Sequence, residues 1–234
     1  MVKKGDTLVE VTLAVGIFSM IAVAVVAIMS NGTSNAQTAL ETTLARAEVD
    51  AQVEALRFIQ QSVGSNDGFR GLWSSITEKA YTNNNSDNVP DEISKYKPTD
   101  CGGLYEDDLP ANAFFIDVDE LHTLTDASSS GGADNNTPEN IIVWHTTGES
   151  TSSRLTTTPT YPQISPGGDE PSVAKGIFIV AVKDPGTVII PKDINQDQIE
   201  TTQSFYDFYV HTCWNSSNSD HPSTVSTVIR LVGE

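Results

Sequence analysis

The chain has 234 residues, 13 basic against 31 acidic side chains, and a formal net charge of -18. So acidic a chain has no basic stripe with which to neutralise phosphates, which excludes non-specific nucleic-acid binding. Hydrophobic residues make up 38%, and many of them lie in one N-terminal run. What is left supports one modest core with long polar loops.

The run itself comes first. Two lysines, Lys3 and Lys4, and then Gly5 precede Leu8 to Met29, about 22 residues that hold one charged side chain, Glu10. That length is enough to cross a bilayer. A secretory signal has a shorter apolar core, about 7–15 residues, ending at a small-residue cleavage site. Ala22-Val23-Ala24 offers such a site, but inside the run. A cleaved signal, a plain anchor and a filament stem are the three readings of this segment. A carboxylate inside an apolar helix costs about 2.5–3.5 kcal/mol at the centre and less near the end, so Glu10 is placed to meet a partner. The lysines before the run and the acidic bulk after it put the N-terminus in the cytoplasm and residues 30–234 outside.

Gly5, Asp6, Thr7, Leu8, Val9 and Glu10 together resemble the processing site of type IV prepilins and pseudopilins. The resemblance implies a leader of residues 1–5, cut after Gly5 by a prepilin peptidase. Asp6 would be the first mature residue and Glu10 the fifth. Removal of Lys3 and Lys4 would leave 11 basic against 31 acidic side chains, a net charge of -20. It further implies a non-enzymatic subunit of a pilus or type II secretion-like filament, a minor pilin or pseudopilin. Its partners would be other pilin subunits, the peptidase, the assembly platform and, before assembly, the membrane. Glu10 would set subunit registry by meeting a neighbour's N-terminal amine. Asp6 stands where the family usually has phenylalanine, often N-methylated, and sets a second carboxylate beside that amine. An anchored extracellular adhesion module that never polymerises is the alternative reading.

Residues 36–63 lack Pro and Gly and are rich in strong helix formers. Leu40, Leu44, Ala47, Ala51, Ala55 and Phe58 form one apolar row. Val49, Val53, Leu56, Ile59 and Val63 form a second, and the two predict a face wide enough to carry a sheet. Asn31-Gly32 predicts a kink or local melting, and Gly64 a C-cap. The expected helix thus has a membrane or filament-core half, residues 6–29, and an amphipathic half, residues 30–64. At 1.5 Å per residue it would be roughly 85 Å long.

Residues 65–234 read as a head of short strands between polar loops. Strands are expected at 113–118, 140–145, 176–182, 187–190, 204–214 and 223–232. Lys183-Asp184-Pro185-Gly186 is read as the turn between the third and fourth of these. In the fifth, Tyr206, Phe208, Val210, Thr212 and Trp214 share a face. The spacing favours an antiparallel sheet covered by the amphipathic half-helix, an α+β, pilin-like fold. Residues 82–100, 125–140 and 146–172 read as loops.

Cys101 and Cys213 either pair outside the cell or remain two buried thiols. No Cys/His spacing suggests zinc, and no nucleophile, P-loop or dinucleotide motif occurs. His122, His145, His211 and His221 are scattered and read as structural or exposed. Asp193, Asn195, Asp197 and Glu200 have the alternating oxygens of a calcium loop. They lack the glycine after the third ligand, and Glu200 comes too early for an EF-hand. A solvated acidic loop is the alternative, and no other cofactor is implied. Asp117, Asp119 and Glu120 form a second acidic group.

Overall fold

A computed structural model of the full chain describes residues 6–82, 101, 109–110, 112–127, 141–145, 155–156, 161–165, 172–189, 200–216 and 221–233. It is α+β. Contacts divide the chain into two compact units, one up to Glu41 and one from Thr42 onward.

The first helix, α1, runs from Asp6 to Ser62. It passes unbroken through Asn31-Gly32, where the sequence led us to expect a kink or melting. A glycine penalty of about 1 kcal/mol is small beside the bonds that hold both flanks. The Thr33 hydroxyl also donates to the Met29 carbonyl at 2.6 Å, one turn back. Gly64 is not left-handed; among the described glycines only Gly176 has positive φ. The helix stops in a tight turn instead, where Ser65 donates to the Ser62 carbonyl through both its N–H, at 3.0 Å, and its hydroxyl, at 2.7 Å.

Two further helices stand where short strands and loops were expected. The helix α2 spans Asp67–Glu78. The Asn66 side chain caps it by accepting from the Gly68 N–H, and Asp67 favours its positive end. Phe69, Leu72, Trp73 and Ile76 bury one face of it. The helix α3 spans Val118–Ala127. Its cap is the Asp117 carboxylate, which accepts from the N–H groups of Asp119 and Glu120 at 3.2 and 3.3 Å. The second acidic group of the sequence is therefore a helix start.

The strands are β1 (Tyr81–Thr82), β2 (Phe114–Ile116), β3 (Ile142–Trp144), β4 (Leu155–Thr156), β5 (Gln163–Ser165), β6 (Val173–Lys175), β7 (Ile177–Ile189), β8 (Glu200–Trp214) and β9 (Ser223–Val232). The main sheet has the order β3-β2-β7-β8-β9, with β1 also pairing β7. It is antiparallel except for the β1–β7 pair. A second, three-stranded sheet has the order β4-β6-β5, so the stretch 146–172 contains two short strands besides loop.

The turn expected at 183–186 does not exist. β7 continues through it, and Pro185 sits opposite Ser204. Proline lacks a ladder donor and is tolerated on a strand with a free side. Beyond Lys183, β7 has only β8 beside it among the described residues. Gly176, at φ 69°, is the corner where the chain leaves β6 for β7, and its carbonyl accepts from the Cys213 N–H at 2.9 Å. A side chain would strain that backbone.

The core lies between the main sheet and the helices from Thr42 onward. Val49, Val53, Leu56, Ile59 and Val63 of α1 are buried as the second apolar row requires. The first row is not: Leu44, Ala47, Ala51 and Phe58 stay exposed, and only Ala55 is buried. The cover expected of both rows is shared with α2. Its Phe69 meets Phe58 edge-on with centroids 5.4 Å apart, and its Trp73 lies 6.0 Å from Tyr206 and 5.8 Å from Phe208. On β8 the expected face of Tyr206, Phe208, Val210, Thr212 and Trp214 is buried throughout.

One polar group lies among these apolar ones. Gln52 is fully buried; its amide donates to the Ile116 carbonyl at 2.8 Å and accepts from the Ile116 N–H at 2.9 Å. It pairs with β2 as a neighbouring strand would. Cys213 lies on the opposite face of β8, by strand alternation. It forms a disulfide with Cys101, and both are buried.

Gln52→Ala would leave a buried N–H and a buried carbonyl unpaired. At about 1–3 kcal/mol each, it should lower urea-unfolding stability by about 2–4 kcal/mol. The disulfide closes a loop with a sequence separation of 112, for which the chain-entropy model gives roughly 4–5 kcal/mol. Cys213→Ser should lose about that much. In the folded wild-type chain, thiol labelling after mild reductant should appear only once denaturant is added.

Candidate membrane helix and its anchor

The N-terminal half of α1 presents its side chains to solvent all round. The large apolar residues from Leu8 to Met29 are each 52–76% exposed. Covering one such side chain is worth about 1.5–3 kcal/mol. Summed over this run, that exceeds the roughly 5–15 kcal/mol net stability of a whole domain. Water is therefore the wrong solvent for this surface, and the helix is long and apolar enough to cross a membrane.

The backbone suits an apolar medium as well. Helical bonding satisfies it internally. The hydroxyls inside the run bond backward, Thr12 to the Val9 carbonyl at 2.9 Å and Ser19 to the Val15 carbonyl at 2.8 Å. Glu10 has no such provision. It lies on the exposed surface of α1, and the described ion pairs involve only Arg57, Arg70 and Arg230 as cations. Gly5 lies outside the described residues. Asp6 is the first residue of α1.

Farther along α1, within the head unit, the helix is held by polar as well as apolar contacts. Gln52 grips β2 as described. One turn earlier, Glu48 accepts a hydrogen bond from the Ile164 N–H of β5. Burial pushes the Glu48 carboxyl above its usual range, and the Ile164 bond opposes this only in part. The two side chains tie one helix to one strand from each sheet.

Ala51, Ala55 and Phe58 of α1 and Val118 and Leu121 of α3 line an apolar cleft of about 390 Å³, with Glu54 and His122 also on its wall. It gathers no set of acid, base and nucleophile.

The histidines are not brought together. His122 and His221 are exposed, whereas His145 and His211 are buried. His211 stacks on Phe178 and Tyr209. Burial pulls the His145 imidazole below its usual pKa. Of the calcium candidates, Asp193, Asn195 and Asp197 lie outside the described residues. Glu200 opens β8 opposite Ile189.

The polar grip on α1 could not be read from the sequence, because Gln52 and Glu48 look like ordinary helix-surface residues. Their signal is indirect: both fall on the side of the helix that carries Ala45, Val49 and Val53.

No family model, no curated protein and no solved structure matches this chain.

Glu48→Gln tests the electrostatics of the anchor. The amide keeps an acceptor for Ile164 and cannot ionise. A carboxyl whose folded pKa is raised favours the fold when protonated, and that advantage disappears as pH rises through the raised value. The variant should therefore melt above the wild type at pH 7–8. The gap should close towards pH 4, where the wild-type carboxyl is protonated as well. Thermal melts of both proteins across that range provide the check.

Proposed function

We propose that the chain is a non-enzymatic structural subunit of a type IV pilus or type II secretion-like filament, a minor pilin or pseudopilin. It is processed after Gly5 and assembled through α1. The observation that carries this reading is the division of one continuous helix. From Leu8 to Met29 it is apolar and bare; from Ala45 onward one of its faces is built into a sheet head. A membrane holds such a helix before assembly, with the N-terminus cytoplasmic and the head outside. Neighbouring copies of the same helix can replace the lipid afterwards.

Glu10 supports the reading further. An unpaired carboxylate in an apolar medium is expensive, and one that meets a cation there is tolerable and fixes a register. Cleavage after Gly5 would create a cation, the α-amino group of Asp6, four residues from Glu10 on the same chain and free to meet a neighbour's Glu10.

Mass spectrometry of the native N-terminus should find a chain beginning at Asp6. A chain intact from Met1 would support instead an anchored adhesion module outside any filament, and a start beyond residue 24 ordinary secretion. Glu10→Leu should leave the chain processed and inserted in the membrane but reduce its recovery in sheared filaments at least tenfold. Unchanged recovery would remove the registry role.

A further inference from the structure

β3 is the short edge of the main sheet. It has three residues and pairs only with β2 among the described residues. The ladder runs one residue further, where the His145 N–H donates to the Ala113 carbonyl at 2.7 Å. The main chain of His145 is thus fixed on the sheet, and the residue is only 6% exposed. Neither ring nitrogen has a hydrogen-bond partner among the described residues. A neutral imidazole has one N–H and one acceptor nitrogen, and both are idle here. Protonation would add a second idle N–H and a charge.

The surroundings do not compensate that charge. By strand alternation His145 shares a face with Val143 of β3 and with Ala113 and Phe115 of β2, all buried. The carboxylate on this line of β2 is Asp117, four residues from Ala113 or about 13 Å. It is engaged at the start of α3. β7 continues the face with Phe178 and Val180, both buried. Its charged residues, Lys183 and Asp184, come only after Val182, and Asp184 holds Arg230. β1 brings Tyr81, opposite Val182. Tyr209 and His211 of β8 stand opposite Val180 and Phe178, three strands from β3 or about 14 Å. On the other face, beside Trp144, is the Lys79 ammonium, itself a cation.

We propose that His145 is an acid-released latch: below about pH 6 the ring takes a proton and is expelled, and β3 comes off β2 while β7, β8 and β9 stay paired. At neutral pH the ring is uncharged in both states and the latch is closed. Released, it titrates near 6.5. Closed, it takes the proton only at lower pH, because burial pulls its pKa down. The open state therefore binds more protons between the two values, and closure loses stability as pH falls through that window. β3 is the part that gives way because it is short and has one neighbour, whereas β8 is paired along both sides. The inference does not depend on processing after Gly5 or on Glu10.

Hydrogen exchange of the full chain in detergent micelles tests it at pH 7.5 and pH 5.0, with the intrinsic pH dependence of exchange removed. A ring that stays neutral when closed and titrates near 6.5 when open makes opening about 30-fold easier over that interval. Protection across residues 141–145 should therefore fall at least tenfold, while protection of β8 stays within twofold. His145→Leu is close in volume and cannot take a proton, so it should keep its protection at both pH values. Glu48 titrates in both proteins and cancels in the comparison. In the wild-type chain the His145 imidazole resonances should titrate below 6.5. Three results each overturn the proposal: equal loss of protection in wild type and variant, loss that spreads to β8, or a His145 ring that charges at 6.5 or above while β3 stays protected. The wild-type exchange and the ring titration decide the matter even if the leucine variant does not fold.

Discussion

The head depends on the double hydrogen bond between the Gln52 amide and the backbone of Ile116. Apolar packing is non-directional and would let the helix slide or rotate on the sheet at little cost. A buried amide that must satisfy one N–H and one carbonyl tolerates one position only, because a shift leaves polar groups unpaired in a low-dielectric interior. Gln52 thus sets which row of α1 faces inward. Val49, Val53, Leu56, Ile59 and Val63 follow from it, and Leu44, Ala51 and Phe58 are left outside. The same residue adds two hydrogen bonds at Ile116 to those that β2, three residues long, makes with its neighbouring strands.

α1 has to satisfy two solvents. A fully apolar helix would bury itself anywhere, and an amphipathic one would need no lipid. Here the two patterns follow one another on an unbroken helix, so the chain has a segment that water rejects and a segment that only a folded head can cover. The charges follow the same division: a single carboxylate in the apolar part, and the acidic excess of the chain in the rest. A dispersed negative charge keeps such a protein from associating except where contacts are specific.

Much of this was legible because periodicity reports burial. The length of α1, the buried face of β8 and the bounds of β9 all follow from side-chain spacing, and their burial is what spacing encodes. The disulfide was one of two open readings, and geometry decided it. The failures have physical causes too. α2 was read as strand and loop although Asn66 and Asp67 mark a helix start and Phe69, Leu72, Trp73 and Ile76 repeat at helical spacing; its short length and mixed composition hid it. The Lys183-Asp184-Pro185-Gly186 run looks like a turn, yet β8 is long enough to hold it extended. The exposed first row of α1 was misassigned because sequence shows which residues are apolar, not how much sheet there is to cover. Gln52 and Glu48 were invisible for the reason that makes them effective, since a polar residue on a buried face leaves no periodic trace.

The contacts that close the head join distant parts of the chain. Gln52 reaches Ile116 across 64 residues, the disulfide spans 112, and Gln60 meets Val232 across 172. Non-local pairing of this kind makes folding slow, because loop entropy is lost before the contacts form. During synthesis α1 emerges well before β9, the strand that meets Gln60. The helix face destined for the sheet is therefore apolar and uncovered until the strands that follow it have been made. The bond from Cys213 back to Cys101 can lock the head only once β8 has been made, so the covalent closure comes after the helix face has waited for its sheet.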